Sequence, residues 1–254
     1  MVTNQPGSEE AIDLQLRLRH LVRIEPLAGS VLHMAGCDVA YYKFSSRAFS
    51  AVVVLRLPSL ELVAWSSAIG DAAFQYTPGL LSFREIPLLI EAWERLDSKP
   101  DVVMVDGQGL AHPRRFGLAC HLGVLLDKPC FGCAKTRFVG QSKEPKLEAG
   151  NYEYLVDQGE VVGAVVRTRD AGAPVYVSPG HLIDVGDSIR LTLEAVRTSR
   201  ADGRREQDSN EGIVKGKALY RLPEPTRLAN ILANALRRGE SGDAALRTAT
   251  RIGR

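Results

Sequence analysis

No stretch of this chain approaches the 18 consecutive apolar residues that a membrane-spanning helix needs. Residues Met1 to Glu10 are polar and acidic and lack the apolar core of a signal peptide. These absences predict a cytoplasmic protein without membrane contact. Cysteine is scarce, with only Cys37, Cys120, Cys130 and Cys133. The one close pair, Cys130-Phe-Gly-Cys133, has no second pair with which to complete a four-ligand zinc site. It also falls inside a short strand candidate, whereas a thioredoxin-like pair opens a helix. Buried thiols in a reducing compartment are the expected reading. Charge of either sign is not in excess: the formal net charge is +2. Composition alone therefore does not mark a nucleic-acid binder, although near-neutrality does not forbid a local basic face. What remains is ordinary globular material. The 254 residues are 45% hydrophobic and 24% charged, enough to build a substantial core in one large α/β domain or two small ones.

Residues 9–24 carry Leu14, Leu18, Leu21 and Val22 among charges and predict a helix. Three strand-like runs follow at Val31–Tyr42, Ala48–Leu57 and Glu61–Ile69, joined by short connections that suit an antiparallel meander. Gly70–Pro78 reads as a loop. Arg84–Leu96 has helical period and stops at Lys99-Pro100. Asp101–Val105 is a compact buried strand, Arg114–Leu126 a helix, and Pro129–Ala134 another strand. The order β-β-β-α-β-α-β predicts a mixed sheet flanked by helices, the order of the ribonuclease H-like α/β fold. Beyond it, strands are expected at Val161–Thr168 and Val175–Val177, a strand and then a helix in Ile183–Thr198, and a last helix at Arg227–Arg237. The polar stretch Ser199–Glu211 is expected to be an exposed loop. Residues 238–254, with Arg238, Arg247, Arg251 and Arg254, are expected to form a disordered basic tail.

The chemistry should sit where acids interrupt apolar runs. Asp38 lies inside a strand between Cys37 and Val39, and a buried lone carboxylate costs several kcal/mol unless it is paired or metal-bound. Asp106 ends the strand Val102–Val105, and strand ends are where α/β sheets place their sites. Glu85 opens a helix after the Gly79 loop. Converged, the three would repel one another, and hard oxygen ligands of this kind suit Mg²⁺ or Mn²⁺. Each also has a purely structural reading: an edge-strand acid with its head in water, a first-turn acid, and a turn-former before glycine. His112, just after Asp106, offers a proton donor or a hold on a metal-bound water, or simply a local hydrogen bond at a helix entry. Arg114 and Arg115 suit phosphate or a solvated face. Lys135, after the strand at Cys133-Ala134, suits a scissile phosphate. His181 has a turn context and no clear role.

The stretches Tyr76-Thr-Pro-Gly-Leu-Leu-Ser-Phe-Arg-Glu85 and Val105-Asp-Gly-Gln-Gly-Leu-Ala-His-Pro-Arg-Arg-Phe-Gly-Leu-Ala119 closely resemble the endonuclease V family. So do Gly36-Cys-Asp-Val-Ala-Tyr41, Ala134-Lys135, Ser178-Pro-Gly-His181 and Gly216-Lys-Ala-Leu-Tyr-Arg-Leu-Pro-Glu-Pro-Thr-Arg227. Motifs this long, in this order over residues 10–235, are highly specific. The resemblance implies a ribonuclease H-like fold and a DNA repair hydrolase. Its activity would be Mg²⁺-dependent, with Mn²⁺ able to substitute. It would recognise deoxyinosine and cleave the second phosphodiester 3′ to the lesion. It implies Asp38, Glu85 and Asp106 as metal ligands, His112 as the active-site histidine and Lys135 as the phosphate contact. It further implies Tyr76 as a wedge that fills the gap left by a displaced base, with Gly79, Leu81 and Gly107 lining the lesion pocket. Arg114 is added as a substrate contact. The chain departs from the family at Gln75, Gln108, Cys120 and Phe138, in the stretch 199–211, and in the tail. A single catalytic domain over residues 1–237 and a monomer are expected. An inosine-specific ribonuclease would use the same acids, since the 2′-OH is read by contacts that sequence does not display. A binding module without turnover is the alternative from another class, and it would be expected to have lost an acid.

Overall fold

The three apolar runs of the N-terminal third become β1 (His33–Tyr41), β2 (Arg47–Arg56) and β3 (Glu61–Asp71), paired antiparallel in sequence order. The computed structural model describes residues 7–72, 74–198 and 217–251. Next to β1 lie β4 (Val102–Val105) and β5 (Cys130–Ala134), both parallel to it. Parallel neighbours need a crossover, and here the crossovers are α2 (Leu81–Glu94) and α3 (Leu118–Leu126). The sheet continues antiparallel through β8 (Val175–His181), β7 (Glu160–Val166) and β6 (Tyr152–Asp157), giving the order β3-β2-β1-β4-β5-β8-β7-β6. This is the expected ribonuclease H-like mixed sheet. No helix among the described residues is long and apolar enough to cross a membrane.

Side chains alternate across each strand, so the central strands feed two cores. Ala35, Cys37, Val52, Val103 and Val105 pack under α2 and α3. Met34, Val53, Leu55, Met104 and Phe131 pack under α4 (Val185–Glu194) and α5 (Glu224–Arg237). Burial on both faces is why these strands read as unbroken apolar runs. Cys130 and Cys133 belong to opposite cores and are buried free thiols, as are Cys37 and Cys120. Two thiols on opposite faces of one strand cannot share a metal ion.

Several boundaries differ from the sequence expectation. The first helix, α1, is shorter (Ser8–Leu18) and passes into a single 3₁₀ turn, Arg19–Leu21. Helix α2 begins at Leu81, which moves Glu85 one turn inside it rather than at its opening. Helix α3 begins at Leu118, leaving Arg114 and Arg115 in the preceding loop. Ser178–His181 continues β8 rather than turning, and β8 leads directly into α4 with no further strand between them. Strand β6 was not legible: Tyr152, Tyr154 and Val156 face solvent, and Leu155 alone is fully buried, so its apolar pattern is inverted. The supposed disordered tail contains α6 (Gly242–Arg251), with Leu246 and Ala249 buried against the core shared with α5. Trp65 Nε1 donates to Asp243 at 3.0 Å and Arg227 to the Ala249 carbonyl at 3.3 Å. Two apolar residues three apart are enough for a short helix that has a neighbour to rest on. The 199–211 stretch lies outside the described residues.

Candidate active site

Even-numbered residues of β1 face α5, and Asp38 is one of them. Gly36 makes the close approach of that helix possible: a Cβ there would lie 2.1 Å from the Pro225 carbonyl. About one and a half turns further along α5, Asn230 Nδ2 donates to Asp38 Oδ2 at 2.6 Å, while the Val39 amide donates to Oδ1 at 2.9 Å. The Asp106 amide donates to the Cys37 carbonyl at 3.2 Å, which sets the end of β4 level with Asp38. Lys135, just past β5, forms an ion pair with Asp106. Glu85 arrives from the opposite face on α2, where it is buried, and Tyr41 Oη donates to its Oε1 at 3.5 Å. The Arg84 guanidinium lies 4.4 Å from the centre of the Tyr41 ring.

The sheet thus gathers Asp38, Glu85, Asp106 and Lys135, which the sequence reading had singled out. Their electrostatics confirm that they share one field. Burial and then the charge of Asp106 raise the Asp38 pKa to about 6. Burial, then Asp38, then Asp106 raise Glu85 well above the ordinary carboxylate range. Burial opposes the Lys135 ammonium, but its bond to Asp106 outweighs that and the net shift is upward. Lys135 faces Asp106 and Asp38 while Arg84 acts on Glu85, so three carboxylates stand against two cations, an imbalance that a further cation would relieve. As the side chains stand, no group of three His, Cys, Asp or Glu among the described residues is arranged as a finished ligand shell.

His112 lies apart from the acids' hydrogen bonds. Its Nδ1 accepts from the Arg114 amide at 3.2 Å and its Nε2 donates to the Gly79 carbonyl at 3.0 Å. Burial lowers its pKa to about 4, so it is a neutral donor near pH 7. The expected phosphate contacts Arg114 and Arg115 are engaged elsewhere. Arg114 Nη2 donates to the Gly79 carbonyl at 2.8 Å. Arg115 pairs with Asp157 at 2.8 Å and Glu160 at 3.1 Å. Gly79 takes a left-handed φ of 82°, which suits glycine. Tyr76 on the same loop is 64% exposed, Leu81 opens α2, and Gly107 packs under Leu118. Phe138 is partly exposed, its ring 5.5 Å from that of His112. Gln108 donates to the Thr136 carbonyl at 3.0 Å and leaves its buried Oε1 without a partner among the described residues. His181 accepts from the Arg23 amide at 3.3 Å, a structural bond away from the acids.

Sequence reasoning missed Asn230, Tyr41 and Gln15. A signal existed for the first: Asn230 and Asn234 recur at helical spacing within the stretch Leu228–Leu236, which is otherwise apolar and where asparagine is a poor helix former. Tyr41 closes a strand, and nothing local distinguished it. Gln15 looked like one more polar residue on a charged helix.

Acids from β1, α2 and the end of β4, converging beside a lysine, suit the hydrolysis of a phosphodiester. Comparison with known proteins narrows this. The Endonuclease V family profile matches residues 16–202. The chain is 44% identical over 237 residues to the endonuclease V of Myxococcus xanthus, covering 93% of this chain and 92% of that one. It is 43% identical over 225 residues to that of Methanothrix thermoacetophila, covering 89% and 90%. The crystal structure of the Streptomyces avermitilis endonuclease V superposes with a TM-score of 0.80 at 34% identity, covering 94% and 97% of the two chains. The chain belongs to the endonuclease V family and is a nuclease.

Proposed function

We propose that this protein is a Mg²⁺-dependent endonuclease acting in DNA repair in the cytoplasm. It recognises deoxyinosine and hydrolyses the second phosphodiester 3′ to the lesion. The observation that carries the reading is the convergence of Asp38, Glu85 and Asp106 beside Lys135 in a member of this family. A family member from Ciona intestinalis shares the fold (TM-score 0.75, 22% identity) and was crystallised with DNA containing an inosine.

The donor set fits a hard divalent cation. Three mutually repelling carboxylates supply oxygen ligands and unrelieved negative charge. Asp38, Asp106 and Glu85 would hold Mg²⁺, with Mn²⁺ able to substitute, and Asn230 would orient Asp38. Bound there, the ion supplies charge to the scissile phosphate and acidity to the attacking water. Lys135, released from Asp106, contacts the scissile phosphate. His112 serves as the active-site histidine, a neutral donor that holds the Gly79 carbonyl in the free protein. Tyr76 stacks into the gap left by the displaced base, while Gly79, Leu81 and Gly107 line the pocket that receives it.

The test is cleavage of matched inosine-containing DNA and RNA oligonucleotides in Mg²⁺, with mapping of the cut. Cleavage of the DNA one nucleotide beyond the inosine's own 3′ phosphodiester supports the reading. Cleavage of the RNA alone makes the protein a ribonuclease, and cleavage of neither refutes both.

A further inference from the structure

Helix α1 is charged along most of its length, yet Gln15 on it is only 1% exposed. A buried amide must find partners for all its polar atoms or lose desolvation energy. Gln15 finds them all on two loops remote in sequence. Its Nε2 donates to the Gly79 carbonyl at 3.0 Å and to the Phe116 carbonyl at 3.1 Å. Its Oε1 accepts from Arg114 Nε. The Gly79 carbonyl is a hub, because it also receives His112 Nε2 at 3.0 Å and Arg114 Nη2 at 2.8 Å. One residue on, Leu80 is buried in a small cluster with Ala11 of the same helix and with Phe74.

The segment anchored in this way has no strand or helix of its own between residues 74 and 80. It carries the exposed Tyr76 on one side of Gly79 and leads into α2, with Glu85, on the other. Its shape is therefore set from outside, by a side chain that belongs to neither the sheet nor the acids. A glutamine that served only to dock α1 could satisfy itself on any nearby backbone. This one divides its amide between the Phe116 carbonyl and the Gly79 carbonyl, and at the latter His112 and Arg114 also meet.

We infer that Gln15 is a positioning residue for base recognition: through the Gly79 carbonyl it holds the loop between Tyr76 and Glu85 in the shape that selects the extruded base. The inference rests on the deoxyinosine reading above. The loop's shape matters when the base enters, so the effect falls on selective binding more than on the chemical step.

The experiment uses the full chain with Gln15→Met, which keeps length and volume but removes every hydrogen bond, and Arg114→Met, which loosens the same carbonyl from a half-exposed site. Binding to duplexes that differ only in inosine or adenine is measured by fluorescence anisotropy in metal-free buffer. KM and kcat are then measured in Mg²⁺, with melting curves alongside. For both variants, binding of the inosine duplex is expected to weaken about tenfold and binding of the adenine duplex by less than about twofold, with KM rising more than kcat falls. Equal weakening on both duplexes, or a fall in kcat at constant KM, would reduce Gln15 to a structural residue and overturn the inference. If Gln15→Met does not fold, Arg114→Met decides by the same criteria. Equal binding of both duplexes by the unaltered protein would overturn the deoxyinosine reading together with the inference. Selective binding that neither variant disturbs would overturn the inference alone.

Discussion

Replacing Asp38 with asparagine should make the protein more stable and inactive at once. The substitution removes a carboxylate whose pKa burial and Asp106 hold at about 6 rather than 3.8. It keeps one oxygen to accept from Asn230, while its new amide group faces the Val39 N–H, and the lost bond offsets part of the gain. A displacement of about two pH units corresponds to about 3 kcal/mol against the ionised form, an upper bound once local relaxation is allowed. The folded value lies above the unfolded one. The favourable contribution of the protonated group is therefore complete below about pH 4 and lost as pH rises through about 6. At pH 7 in chelator the wild type bears this cost and Asp38→Asn does not. The variant should gain about 1–3 kcal/mol, or roughly 3–10 °C in melting temperature for a chain of this size. At pH 4.5 only about a third of the gap should remain. Mg²⁺ at about 100 times its Kd should raise the wild type by about 2.7 kcal/mol and leave the variant almost unmoved. Cleavage by the variant should fall by orders of magnitude. The assay is thermal melting at the two pH values, with chelator or Mg²⁺, beside a cleavage assay. A variant that melts at or below the wild type at pH 7 in chelator, or that cuts at the wild-type rate, refutes the argument.

Lys135→Met removes a charge that lowers the Asp38 pKa, so the acidic limb of the pH–rate profile should move above pH 6 and cleavage should drop about a hundredfold. An unmoved limb would separate the lysine from the acids. Tyr76→Ala, at a position 64% exposed, should change stability by less than about 0.5 kcal/mol. It should weaken binding to inosine duplex more than to inosine single strands, where unstacking costs less, and unchanged duplex binding would exclude the wedge. Leu246→Ala tests α6: loss of a side chain only 1% exposed should cost about 2–4 kcal/mol and lower melting by roughly 5–10 °C. A drop under about 2 °C would show that the helix does not pack.

Asp38, Asp106 and Glu85 were legible because an acid in an apolar run is costly, and the chain carries that cost in plain view. The mixed sheet was legible for a related reason: strands buried on both faces leave continuous apolar runs, and the spacing between them dictates meander or crossover. Local pattern failed where burial is decided by a distant neighbour. Strand β6 has its apolar side chains outward and is held by β7, and α6 exists because α5 offers it a surface. Arg114 and His112 stood out from their motif, and only the folded chain shows them converging with Gln15 on one carbonyl, from positions 33 to 64 residues away from it in sequence. Asn230 reaches Asp38 across 192 residues. Sequence by itself determined which groups carry charge into the core and where the central strands run, because both follow from local composition and period. Only tertiary structure decided which carboxylate each donor faces and how far each pKa moves, because desolvation and Coulomb energies depend on distances through space that chain order does not contain.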